Sequence, residues 1–233
     1  MLKKETLNLL NNESKDFKNI FCICIGKAYL FQKRLKDYFG DYNQWNTDIK
    51  EGILKLDEKS FNVEYIGTTS IGDNYWYSSE VESIIPDQFV NLMINTRKTL
   101  ESLDLRELAE VKIPLTEEIN GYNLAMIYVA FAKENVACFC GSGDTTIYMF
   151  LKQLPESIFK KINAAEFSTR VTEIISTFSV NHKLMVKALL CENDIEFSED
   201  NNNIVAKFNE KSILTIEFNN DGVLTTISGD LSL

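Results

Sequence analysis

Two Cys-x-Cys pairs, Cys22 with Cys24 and Cys138 with Cys140, are the first residues in the chain whose type and spacing could do chemistry. Four thiolates held tetrahedrally bind zinc. Residues i and i+2 share a face of a strand but lie about 200° apart on a helix. Cys138 and Cys140 therefore converge if their segment is a strand, whereas Cys22 and Cys24 diverge on a helix. Structural zinc sites place two to four residues between paired cysteines, and no cysteine pair here has that spacing. The expectation is that these are small buried hydrophobes, with no metal and no cofactor. Gly141-Ser142-Gly143-Asp144 could cradle an anion with its amides. It has neither the lysine nor the spacing of a P-loop, so it is read as a hairpin turn. His182, the single histidine, is the only residue able to serve a Ser-His-Asp or Cys-His device. It stands at a predicted helix start, where an imidazolium opposes the dipole, so no catalytic residue is expected.

Carboxylates recur two apart, Glu80 with Glu82 on one expected strand face and Asp194 with Glu196 on another. Such pairs can bind calcium or act as acid and base, but the reading is an acidic surface. The aromatic group Trp45, Tyr65, Tyr75, Trp76 and Tyr77 can line a core or a contact surface, since Tyr and Trp combine area with one polar group. These five, with Glu80 and Glu82, are the expected ligand- or partner-binding residues.

The elements that must position them follow from periodicity. Phe17 to Phe39 has apolar residues at helical spacing and ends at Gly40, although Ile20 to Gly26 alone passes as a strand. Trp45 to Ile49, Ile53 to Leu56, Phe61 to Ile71 and Tyr75 to Val81 read as strands of an antiparallel meander, because the gaps between them are hairpin-short. Pro86-Asp87 opens a helix to about Leu103. Thr116-Glu117-Glu118 is a helix-start signal, and the helix that follows is apolar almost all round from Leu124 to Phe131. Val136 to Cys140 and Thr145 to Leu151 form a hairpin, and Phe167 to Phe178 and His182 to Cys191 are helices, the second capped by Asn181. Four short strands from Ile195 to Ser228 complete the chain, with Asn-rich turns. Strands in runs rather than in alternation with helices predict an α+β fold of antiparallel sheets packed against segregated helices. The expected blocks are 1–155 and 156–233, the second packed onto the first.

Composition narrows the function. The chain has 233 residues, 45% of them apolar, and a net charge of -10. Four dispersed arginines (Arg34, Arg97, Arg106 and Arg170) and the acidic balance exclude bulk nucleic-acid binding, which requires clustered cations. The longest apolar run, Leu124 to Phe131, is far short of the ~20 residues of a membrane helix, so no membrane partner is expected. Five cysteines, an odd number, and a basic start after which Glu5, Asn8, Asn11 and Asn12 interrupt any apolar run predict a cytoplasmic protein with no secretory signal.

Tyr65-Ile66-Gly67-Thr68-Thr69-Ser70, Tyr75-Trp76-Tyr77, the helix from Phe89 to Leu103, the apolar helix from Asn123 to Phe131 and Cys138-Phe139-Cys140-Gly141 together resemble a bacterial family, domain of unknown function 6882. The family pattern is a hydrophobic strand running into Gly-Ser, a tryptophan-rich strand ending near an Asn, two helices and a Gly-containing hairpin. This chain keeps Trp76 between tyrosines and has Ser78-Ser79-Glu80 in place of the Asn. The resemblance covers residues 20 to 155 and implies an intracellular bacterial α+β protein. It brings no activity and no catalytic residues. The expected function is a non-catalytic binding protein for a basic protein partner, in the manner of an immunity protein. The alternatives are a ligand site or enzyme pocket between sheet and helices, and a homodimer.

Overall fold

The computed structural model describes residues 1–230. The last three residues of the expected second block lie outside the described residues. The fold is α+β, with six α-helices and two antiparallel sheets among the described residues. The chain divides into two compact units, one of residues 31–159 with Met1, the other of residues 2–30 with 160–233. The division differs from the sequence blocks, because residues 2–30 group with the residues from 160 onward.

The first unit is built on a seven-stranded sheet. β1 (Trp45–Asp48), β2 (Ile53–Leu56), β3 (Lys59–Ser70) and β4 (Tyr75–Ser78) form the expected meander. β5 (Lys112–Pro114) adds to β4, and β6 (Ala137–Gly141) pairs with β7 (Thr145–Leu151), which pairs with β3. The twelve-residue β3 serves three partners. It pairs with β2 along Lys59–Asn62, with β4 along Gly67–Thr69 and with β7 along Val63–Ser70. A register shift between Tyr65 and Gly67 interrupts the β7 ladder, as expected where a strand bends to serve two neighbours.

Two α-helices lie wholly within this unit, α3 (Asn91–Ser102) and α4 (Gly121–Phe131). α4 is buried along nearly its whole length, Leu124 to Phe131 without exception, which explains its lack of a polar face. It begins at Asn120, whose side chain accepts the Asn123 amide at 2.9 Å. Thr116 instead accepts the amide of Ile119 and closes a separate turn. The helix expected from Pro86 is interrupted. A 3-10 turn spans Asp87–Phe89, and α3 starts at Asn91 without a local side-chain cap. Its cap comes from the sheet: the buried carboxylate of Glu64 on β3 accepts the Leu92 amide at 2.7 Å and the Lys152 ammonium at 2.5 Å.

In the second unit, α1 (Lys4–Asn12) and the first part of α2 (Phe17–Phe39) accompany α5 (Ala164–Thr177) and α6 (His182–Glu192). Their sheet has the order β11-β10-β9-β8, with β8 (Glu196–Asp200), β9 (Asn203–Lys207), β10 (Ile213–Phe218) and β11 (Leu224–Asp230). α2 is one continuous helix, so the strand alternative for Ile20 to Gly26 gives way to helical periodicity. Gly26 lets α2 approach α6 closely: a Cβ there would lie 3.0 Å from Cβ of Leu189. Ile204, Ala206, Leu214, Ile216 and Phe218 are buried on one face of the sheet, and Phe167 of α5 meets Phe208 edge-on at 5.2 Å.

Candidate functional site: three loops at one end of the first sheet

β3 and β4 are joined at residues 71–74, β5 and α4 at 115–120, and β6 and β7 at 142–144. Backbone hydrogen bonds bring the three connections together. The Ile71 amide donates to Asp144 O at 3.2 Å, and the Leu115 amide donates to Asn74 O at 2.8 Å. The hydroxyls of Ser70 and Thr145 meet at 3.2 Å. The turn residues of the sequence thus form one surface, set on paired strands beneath. Loops held by a rigid sheet are where recognition residues concentrate.

That surface is both apolar and acidic. Ile71 is 83% exposed and Tyr75 is 37% exposed. Glu117, Glu118 and Asp144 are exposed, and no ion pair holds their side chains among the described residues. Asp73 accepts the Tyr77 hydroxyl at 2.8 Å. Lys112 is a cation in this region, with its ammonium 3.9 Å from the Tyr75 ring centroid and 5.1 Å from that of Tyr77. A hydrogen bond to the Tyr77 hydroxyl keeps the Lys112 ammonium protonated above its ordinary range. The charge is uneven along the chain. The first unit carries 20 Asp and Glu against 12 Lys and Arg, a net -8, and the second 14 against 12, a net -2.

The residues expected to bind are dispersed by the fold. Tyr75 and Tyr77 lie on β4 at the loop end and share Lys112. Trp76, between them, points the other way and is fully buried, with Tyr148 at 4.9 Å and Tyr128 at 5.7 Å. Tyr65 is also fully buried, its hydroxyl 2.7 Å from that of Thr47, and burial pushes its phenol up. Trp45 meets Phe139 at 5.8 Å and covers Gly141, where a Cβ would strike its ring. Glu80 and Glu82 do not share a strand face, because β4 ends at Ser78 and a 3-10 turn takes Ser79–Val81. The hydroxyl of Ser79 donates to Tyr65 O and turns the chain inward. Glu80 then pairs with Arg97 of α3, and Glu82 accepts the Thr68 hydroxyl at 3.1 Å. Asp194 and Glu196 are likewise not a strand pair, since β8 begins at Glu196 and Asp194 has a φ of 53°.

Sequence reasoning missed Ile71, Asp73, Lys112, Glu117, Glu118 and Asp144 as one group. Asp73 and Asp144 stood in expected turns, Ile71 at an expected strand end and Glu117-Glu118 at an expected helix start, but their convergence depends on β5, a three-residue strand that begins at Lys112 and contains Pro114.

Other chemical candidates resolve locally. Nδ1 of His182 accepts the Leu224 amide at 3.1 Å, and burial lowers its basicity. Cys22 Sγ accepts the Asn181 amide at 3.1 Å, Cys24 is fully buried, and burial raises both thiols. Among the described residues no group of three or more His, Cys, Asp or Glu could hold a metal ion. Among them, too, no helix is long and apolar enough to cross a membrane.

The fold and this surface define an α+β protein that presents loops from a well-packed antiparallel sheet. Residues 20–154 match a family of unknown function (DUF6882), more than half of the chain, and the chain belongs to that family. The match runs from within α2 to beyond β7 and so includes all three loops. No curated protein and no solved structure matches the chain.

Proposed function

We propose that the chain is a non-catalytic binding protein whose loop end captures a basic protein partner and neutralises it, as an immunity protein does. The observation that carries this reading is the set of exposed Ile71 and Tyr75 among the carboxylates of Glu117, Glu118 and Asp144, none held in an ion pair among the described residues. Apolar and aromatic residues supply the desolvated contact, while the surrounding carboxylates steer and select a cationic surface. Five free thiols suit a reducing compartment such as the bacterial cytoplasm.

Affinity capture tests the proposal. The full chain is immobilised and exposed to an extract of its source organism at low and high salt, beside a Glu117→Lys, Glu118→Lys, Asp144→Lys variant. The expected result is a basic protein held at low salt, released by high salt and lost by the variant. Retention of no basic protein, or equal retention by the variant, overturns the reading.

A further inference from the structure

We propose that Cys138 and Cys140 form a reversible dithiol–disulfide couple, a modification site that takes low-molecular-weight disulfides. The two sulfurs are 3.6 Å apart on one face of β6, already in contact. The pair is asymmetric. Cys138 is buried, whereas Cys140 is partly exposed, one residue before Gly141 and two before the exposed Ser142. Their cross-strand partners on β7 are Phe150 and Tyr148, so the wall behind them is aromatic. The hydrogen bond with Cys140, and then burial, hold the Cys138 thiol protonated. Cys140 is the sulfur that an incoming disulfide can reach.

Exchange proceeds in two balanced steps. The Cys140 thiolate attacks one sulfur of the disulfide RSSR, forms Cys140–S–SR and releases RS⁻. Cys138 then loses its proton to solvent, attacks the Cys140 sulfur and expels the second RS⁻. The two cysteines are oxidised by two electrons, and RSSR is reduced to two thiols. Residues two apart on a strand have Cα atoms about 6.6–6.8 Å apart, at the upper limit for a disulfide. Closure therefore bends β6, and a strained bond of this kind is readily reduced by a thiol pool.

The test uses the native full chain and glutathione disulfide. Free thiols are alkylated after denaturation, and the tryptic peptide 134–152 is weighed. The expected peptide has lost two hydrogens and carries no alkyl group, while Cys22, Cys24 and Cys191 are alkylated; excess reduced glutathione restores both thiols. Cys138→Ala is expected to stop at a glutathione adduct on Cys140, and Cys140→Ala to take up none. The proposal is overturned if the wild-type peptide keeps two alkylatable thiols or stops at the adduct. It is also overturned if Cys140→Ala reacts as readily as Cys138→Ala.

Discussion

Replacing Gly67 with alanine tests how the sheet beneath the loops is held. Gly67 pairs with Ser78 of β4 and Tyr148 of β7. A Cβ there would fall on the six-membered ring of Trp76 and on the Tyr77 carbonyl oxygen. Neither can yield: the oxygen is backbone, and the indole is fully buried with Tyr148 at 4.9 Å and Tyr128 at 5.7 Å. Overpacking a core costs about 1–3 kcal/mol. Two immobile neighbours place Gly67→Ala near the top of that range, so the folded-to-unfolded ratio should fall roughly a hundredfold at about 3 kcal/mol. Trp45 and Trp76 are the chain's two tryptophans and both lie in the first unit, so tryptophan fluorescence during urea unfolding reports that unit. Gly143→Ala is the control, since its Cβ would meet nothing closer than Thr145 O at 3.6 Å. A Gly67→Ala transition within about 0.5 kcal/mol of the wild type, the range of a neutral surface change, would refute the packing described.

Three further outcomes are expected. Glu64→Ala strips the cap from α3 and the shorter ion-pair contact from Lys152; hydrogen bonds to buried charged groups contribute about 1.5–3 kcal/mol, and a loss of that size should appear in the same urea transition. Glu199 bridges Lys183 and Lys187 of α6, each at 2.7 Å, and both ammonium groups hold its carboxyl below the ordinary range. Its contribution is therefore complete above the ordinary carboxylate pKa and lost as pH falls through the lowered value; a Lys183→Met, Lys187→Met variant should show a shallower acid limb by circular dichroism. His182 binds its proton less readily folded than unfolded, so the native state is favoured above pH 6.5 and loses that advantage as pH falls through the depressed pKa. Denaturation midpoints of His182→Ala across this window should lack the slope.

Long periodic elements were legible because their pattern outweighs local ambiguity. The 23 residues of α2 repeat apolar positions at helical spacing, which decides against a strand at Ile20 to Gly26. The Asn181 cap of α6 was readable because its acceptor and donor lie three residues apart. The start of α3 was not, because its cap comes from Glu64, 28 residues earlier. The end of β4 was hidden for the same reason: Ser79 turns the chain by bonding to Tyr65, fourteen residues back. Alternation then carried the strand too far and put Glu80 and Glu82 on one face. At the site, the sequence marked aromatic residues by type but could not tell inward from outward. Trp76 and its neighbour Tyr75 alternate across β4, one fully buried and one at the surface.

The most direct test of the account is a hydrogen-exchange footprint of the chain with and without the captured basic protein. Slowed exchange is expected in residues 71–75, 115–120 and 142–145, with little change in β8 to β11. Protection confined to β8–β11, with the three loops exchanging as in the free chain, would contradict it.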